Sequence, residues 1–302
     1  MLIEYERCGK VDLRQFYIRR SLRILPVYGA FLLTLYAMQE ISTYQQSGCV
    51  WIANLTFTTN FLDRDQIENT ACGHLWTLAV EEQFYLVWPG LFVALRANGS
   101  LAKGICVLVV TLIVAPVSRV IAYLCLADTT LVEQFFGPWS SLLFIDSLGV
   151  GCICAFLLAK RFELMNALLT TNSGAAAAMA VMCIALPLVC SRLMIWGKFL
   201  VPFGPLIQAF GIGALLIQSI LLPSNFFYRL LNVQFVANFG ILSYSIYIWH
   251  QLFWIDPAIL GARDSWWNTF PGWLVPSLLL AVISYYCLER PLFRMRQRAF
   301  RS

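Results

Sequence analysis

Gly73 to Pro89 reads GHLWTLAVEEQFYLVWP, an apolar run that opens on a histidine and carries two adjacent glutamates, Glu81 and Glu82. A run of this length and character reads as a membrane-spanning helix. Ionisable side chains inside such a helix are costly, and they face a bundle interior or a water-filled cavity where they act on something. The stretch therefore sets both the fold class and the first place to look for chemistry.

The rest of the chain has the same character. Of its 302 residues 60% are hydrophobic and 12% charged, with a mean hydropathy of +0.72, whereas a soluble domain is about 25% charged. Apolar runs near the roughly 20 residues needed to cross a bilayer fall at Leu22 to Met38, Leu75 to Leu95, Gly104 to Leu126, Ser141 to Ala159, Gly174 to Ile195, Phe199 to Leu222, Phe239 to Leu260 and Trp273 to Leu288. The expected fold is all-α: one polytopic transmembrane bundle of about eight spans, residues 1–302 forming a single integral membrane domain.

Lys and Arg concentrate in cytoplasmic loops. Arg7, Lys10, Arg14, Arg19, Arg20 and Arg23 precede the first span, and Arg290, Arg294, Arg296, Arg298 and Arg301 follow the last, which places both termini in the cytoplasm. Arg96, Lys103, Lys160, Arg161 and Arg229 fall on inside turns, while the Glu40 to Glu68 and Asp128 to Glu133 loops are acidic and fall outside; Arg192, Lys198 and Arg263 are exceptions. The net charge of +5 follows from this bias and from contact with anionic lipids, and nucleic-acid binding is not expected. Most of the ten cysteines, among them Cys106, Cys125, Cys152, Cys154, Cys183 and Cys190, lie in apolar spans, where Cys acts as a small hydrophobe. Only Cys49 and Cys72 share the outer loop, so a disulfide and two unpaired thiols are both open there. Metal-ligand spacings such as Cys-x-x-Cys do not occur. Met1 to Arg7 lacks a basic stretch followed by an apolar core, so it is not a signal peptide; it reads as the inner end of a helix.

Arg19 and Arg23 share a helical face at the inner surface. They serve either as a lipid-phosphate anchor or, with Arg20, as a clamp for a phosphorylated ligand, since a guanidinium fork matches phosphate oxygens. In the outer loop Val50 to Leu62 is too short and polar to span, and is expected to be interfacial or re-entrant. Gly149, Gly151, Gly211 and Gly213 mark close helix approaches.

His74 and Glu81 are two helical turns apart and share a face, with Glu82 rotated by about 100°. One carboxylate is then free to line a cavity while the other holds a neighbouring helix. Arg119 and Asp146 are the other charges within spans; they pair with the glutamates or each other, as a structural ion pair or a substrate contact. Ser243, Tyr247 and His250 recur at i, i+4 and i+7, a polar stripe facing inward. His250 is either a satisfied hydrogen-bonding partner or a substrate-binding or catalytic group. A Gly-x-Ser-x-Gly elbow, a Walker loop and His-Glu-x-x-His are all missing from the sequence, which leaves soluble hydrolase, nucleotide hydrolase and zinc protease readings without support. Glu289-Arg290-Pro291 reads as a helix end stopped by proline.

Four blocks resemble the integral membrane acyltransferase type 3 family: FYIRRSLRILPVY (Phe16 to Tyr28), GHLWTLAVEEQFYLVWP (Gly73 to Pro89), LSYSIYIWHQ (Leu242 to Gln251) and YYCLERPLFRMRQR (Tyr285 to Arg298). FIDSLGVGCICAFLLA, Phe144 to Ala159, is a fainter match. The blocks stand in family order across essentially the whole chain. The resemblance implies transfer of an acyl group, commonly acetyl, from a coenzyme A thioester on the cytoplasmic side to a hydroxyl of a carbohydrate or glycoconjugate acceptor on the outer side of a bacterial plasma (inner) membrane. No permanently bound cofactor is implied; acyl-coenzyme A is the donor substrate. Carried over, Arg19, Arg20 and Arg23 match the family's arginine motif and suit the phosphates of coenzyme A, and His74, Glu81 and Glu82 match its outer polar block. Arg119, Asp146 and His250 are expected among the substrate and donor contacts.

Family members begin with two further helices, the first bearing an arginine and a histidine that acts as base or acyl relay. Neither residue is in this sequence, and eight spans against ten agree with an N-terminal truncation. Deprotonating the acceptor hydroxyl needs a base tuned near neutrality, and Glu81 or Glu82, raised by desolvation, is a candidate base or orienter, with His74 beside it. Two competing readings are a transporter or flippase that uses the buried charges as a path, for which inverted repeats are lacking, and a catalytically inactive family member.

Overall fold

A computed structural model describes residues 4–5, 8–62, 66, 70–97, 101–125, 141–193, 195–257, 269 and 271–299. The acidic loop from Asp128 to Glu133, with Glu68, Arg263 and Arg301, lies outside the described residues. The described residues are mostly helical, with no strand among them. Four helices are long and apolar enough to cross a membrane: Leu13–Ile41, Gly104–Ile121, Ser173–Arg192 and Pro202–Leu221. They coincide with four of the eight expected spans. The other four expected spans are not among them; Glu81 and Glu82 lie in one, and the helix breaks at His250 in another.

The chain divides into two compact units, residues 12–76 with 234–302, and residues 1–11 with 77–233. In the first, α1 (Leu13–Ile41) starts where the Asp12 side chain accepts the Gln15 N–H at 2.9 Å, a cap that satisfies one of the orphan donors of the first turn. Its buried residues Ile24, Val27, Tyr28, Phe31, Leu32 and Leu35 recur at three- and four-residue steps, so they form one stripe. The expected interfacial stretch is the short helix α2 (Gly48–Thr56), followed by a 3-10 turn at Thr59–Phe61. At about 1.5 Å per residue it is far shorter than the roughly 30 Å hydrocarbon layer. It ends on Phe57 at φ 54°, a left-handed position unusual for a bulky residue. Phe57 is held there by stacking on Tyr28, ring centroids 4.8 Å apart. The C-terminal part of this unit comprises α10 (Gln234–Trp249), α11 (Gln251–Trp254), α12 (Leu274–Ser284), a π-helical turn (Tyr285–Glu289) and α13 (Arg290–Ala299).

The second unit holds nearly all of α3 (Leu75–Ala97), then α4 (Leu101–Cys125), α5 (Ser141–Lys160), α6 (Phe162–Thr170), α7 (Ser173–Arg192), α8 (Gly197–Leu221) and α9 (Phe226–Leu231). Helices in lipid associate through close packing of small residues, and the glycines show where. A Cβ on Gly211 of α8 would stand 2.7 Å from the Ala180 carbonyl oxygen of α7, and one on Gly213 2.7 Å from Cys154 Sγ of α5. Gly149 approaches Thr111 in the same way, at 3.0 Å, whereas Gly151 faces open space. The expected close approaches therefore hold at three of the four glycines. Gln218, buried in α8, donates to the Leu169 carbonyl at 2.9 Å, an acceptor that the end of α6 leaves open, and to the Ser173 carbonyl at the start of α7 at 2.7 Å.

Candidate active site

Both histidines of the chain come together in the first unit. His74 closes the turn before α3, its two ring nitrogens buried, and its ring meets those of Phe31 (5.6 Å between centroids), Tyr247 (5.1 Å) and His250 (5.1 Å). Phe31 in turn meets Trp249 at 5.7 Å. The Tyr247 hydroxyl donates to the His74 carbonyl at 2.5 Å, and the Tyr244 hydroxyl to the Ile24 carbonyl at 2.8 Å. One face of α10 is thereby tied both to α1 and to the turn carrying His74. Burial, with neighbouring His250 adding to it, pushes the His74 imidazole down to about 3, so it is neutral at physiological pH.

His250 sits between α10 and α11, with Nδ1 2.7 Å from the Tyr247 carbonyl oxygen. That oxygen is the acceptor an unbroken helix would assign to the Gln251 N–H, which gives the break in the expected Phe239 to Leu260 span a local cause. Of the inward stripe expected on α10, Tyr247 and His250 belong to this cluster. Ser243 does not: it is exposed and donates to its own Gly240 carbonyl at 2.9 Å.

Glu81 and Glu82 lie half-buried on α3, in the second unit. The helix begins at Leu75, so the turn holding His74 precedes the helical register that a seven-residue spacing assumes. Arg119 and Asp146 join α4 to α5: an Arg119 Nη2 hydrogen donates to Asp146 Oδ2 in a direct ion pair, at 5% and 0% exposure. Of the partners open to these charges, each has taken the other. Arg119 keeps Nε and Nη1 buried with no partner among the described residues.

Arg19, Arg20 and Arg23 occupy the first turns of α1, with Arg19 Nη1 donating to Gln15 Oε1 at 3.1 Å. Arg23 is exposed and faces the charge of Glu289. Glu289, read from sequence as a plain helix end, is 2% exposed in the π-helical turn, and accepts a hydrogen bond from Ser245 of α10. Single π-helical turns recur at functional positions. The signal that could have found Glu289 is the carboxylate closing an apolar run just before Arg290-Pro291.

Beneath α2 lies a second polar cluster. Tyr44 donates to Gln46 Oε1 (2.7 Å), Asn54 Nδ2 to Cys72 Sγ (3.1 Å), Cys72 to Gln46 Oε1 (3.3 Å), and Tyr28 to the Asn54 carbonyl (2.7 Å). Cys72 is 2% exposed and Cys49 is exposed; both are free thiols. Burial pushes the Cys72 thiol and the Tyr44 phenol up, so both remain protonated donors within the network. Among the described residues no three His, Cys, Asp or Glu side chains converge as metal ligands.

A family model described as an acyltransferase domain matches residues 2–290. The chain is 23% identical to the O-acetyltransferase OatA of Staphylococcus aureus (strain NCTC 8325 / PS 47) over 99% of its own length and 51% of that protein. The same identity, 23%, relates it to the peptidoglycan O-acetyltransferase OatA of Listeria monocytogenes serovar 1/2a, over 97% of the chain and 48% of the relative. The putative peptidoglycan O-acetyltransferase YrhL of Bacillus subtilis (strain 168) is again 23% identical, over 100% and 48%. The chain thus spans about half the length of the curated relatives it matches. No solved structure is similar to it.

Proposed function

This chain belongs to the acyltransferase family whose domain model spans residues 2–290, and we propose that it transfers an acetyl group from acetyl-coenzyme A to a hydroxyl of a carbohydrate acceptor of the peptidoglycan type. The observation that carries this reading is the family match along nearly the whole chain. The relatives, O-acetyltransferases of which two are named for peptidoglycan, supply the acyl group and acceptor class.

In this reading Arg19, Arg20 and Arg23 hold the phosphates of the donor at the cytoplasmic end of α1, since guanidinium groups gathered on one helix end make charge-assisted hydrogen bonds to phosphate oxygens. Arg119, fixed by Asp146, turns its two unpartnered nitrogens, Nε and Nη1, toward bound substrate. Glu81 and Glu82 are the carboxylates assigned to orient the acceptor or take its proton, and His74 is a further candidate for that role. The acceptor oxygen attacks the thioester carbonyl carbon, the C–O bond forms as the C–S bond breaks, and coenzyme A leaves as the thiol. Both termini face the cytoplasm, and the membrane is the bacterial plasma (inner) membrane.

The test is purified protein in detergent with acetyl-labelled coenzyme A and a soluble peptidoglycan oligosaccharide. Label appearing on the oligosaccharide as a base-labile ester is expected, with one free thiol released per ester. Thiol release with no ester on any carbohydrate would defeat the acceptor assignment, and absence of both would defeat the enzyme reading.

A further inference from the structure

His250 has a protonation pattern that its surroundings dictate. A carbonyl oxygen only accepts hydrogen bonds, and Nδ1 stands 2.7 Å from the Tyr247 carbonyl oxygen. The ring proton of the neutral imidazole is therefore on Nδ1. This leaves the Nε2 lone pair bare, and among the described residues nothing hydrogen-bonds Nε2. Such an arrangement, one nitrogen donating to a fixed carbonyl and the other open, sets the tautomer and aim of a histidine that accepts protons.

A platform adjoins this ring. The His250 ring lies 5.9 Å from that of Trp254, one short helix further on, and Trp254 stacks against Trp273 with centroids 6.1 Å apart and planes at 28°. Trp254 is 61% exposed, so its ring is presented outward rather than buried in the helix contact. The C–H face of a pyranose is apolar and slightly positive, and it complements the negative face of an indole. A ring stacked on Trp254 is one side chain away from His250.

We propose that Trp254, Trp273 and His250 form the acceptor subsite: a pyranose ring stacks on Trp254, and His250 Nε2 is the general base that takes the proton of its reacting hydroxyl. The proposal rests on the acyl-transfer reading and assigns within it the proton of the acceptor hydroxyl. As the acceptor oxygen bonds to the thioester carbon, its proton moves to Nε2; as the C–S bond breaks, the same proton passes to the departing sulfur. His74, neutral and in edge contact with His250, adds no positive charge that would oppose this imidazolium.

The experiment compares His250→Asn, His250→Ala and Trp254→Ala with the unaltered protein, using acetyl-coenzyme A and a peptidoglycan oligosaccharide, with coenzyme A affinity measured on each as evidence of intact folding. Asn keeps a donor for the Tyr247 carbonyl and lacks the base. It should bind coenzyme A normally yet lose transfer by about 10²–10⁴-fold, the usual worth of general-base catalysis. Added imidazoles should restore transfer to His250→Ala in order of their basicity, which a merely structural histidine would not allow. Trp254→Ala should raise the KM for the oligosaccharide by roughly 10-fold, the scale of one aromatic stacking contact, with kcat changed little, and Trp254→Phe should recover most of it. Transfer by His250→Asn within threefold of the unaltered protein, or an acceptor KM unmoved in Trp254→Ala, overturns the proposal while the acyl-transfer reading stands. An unaltered protein that transfers nothing overturns both.

Discussion

Replacing Asp146 with Ala would leave the Arg119 guanidinium buried with no counter-charge. Both side chains are almost wholly enclosed, at 5% and 0% exposure, and the carboxylate is the single acceptor that Arg119 has among the described residues. Breaking a buried pair from one side costs about 3–5 kcal/mol, because the desolvation of the remaining charge is no longer offset. Substituting both residues by apolar groups of similar volume, Arg119→Met with Asp146→Leu, removes the charge and its penalty together and is expected to be neutral or stabilising by ~1–4 kcal/mol. Unfolding of the purified protein in detergent, followed by loss of helical circular dichroism, reads both. If the pair only joins α4 to α5, the double variant recovers stability and transfer alike. Because Arg119 retains two unpartnered nitrogens and is assigned to substrate, the double variant should instead recover stability and lose transfer. Full transfer by a stable double variant would refute the substrate role, and single variants costing under about 1 kcal/mol would refute the buried pair itself.

Three further outcomes follow from the packing and the site. Gly211→Ala, whose Cβ would meet the Ala180 carbonyl oxygen at 2.7 Å, should destabilise by about 1–3 kcal/mol through overpacking, while Gly151→Ala, which meets nothing within 4 Å, should stay within roughly 0.5 kcal/mol; unfolding of each reads the difference. The folded protein refuses at His74, held down to about 3, a proton that the unfolded chain takes up near pH 6.5. Stability is thus untouched by this group above that pH and falls below it, by up to about 1.4 kcal/mol per pH unit; unfolding between pH 7.5 and 5 should show the decline, and His74→Phe should remove this share of it. A maleimide should label exposed Cys49 in the folded protein and leave Cys72 unmodified until denaturation, and mass spectrometry of the labelled peptides reads both sites.

What the sequence reveals here is what periodicity and composition encode. The long apolar helices, the small residues where helices touch and the isolated charges in spans are local signals, and Leu13–Ile41, Gly211 and Arg119 stand where those signals place them. Contacts between distant segments leave no such mark. Ser245 meets Glu289 across 44 residues and Tyr247 meets the His74 carbonyl across 173, and in sequence Glu289 resembles any residue that ends a helix. The break at His250 was hidden for another reason: it comes from a side chain taking a backbone acceptor, which the apolar pattern of Phe239 to Leu260 does not record. Cys72 shows the same limit, since loop membership leaves a disulfide open, whereas its burial among Gln46, Asn54 and Thr70 settles it as a hydrogen-bonded thiol.

The central claim is acyl transfer across the membrane from a coenzyme A thioester to a carbohydrate hydroxyl. Proteoliposomes with this chain inserted cytoplasmic side inward, loaded with acetyl-coenzyme A inside and given peptidoglycan oligosaccharide only outside, test it most directly. The account predicts that the outer oligosaccharide gains an acetyl ester and that free coenzyme A thiol accumulates inside. An outer oligosaccharide that stays unmodified while the same preparation acetylates it in detergent would contradict transfer across the membrane, and no ester in either setting would contradict the claim altogether.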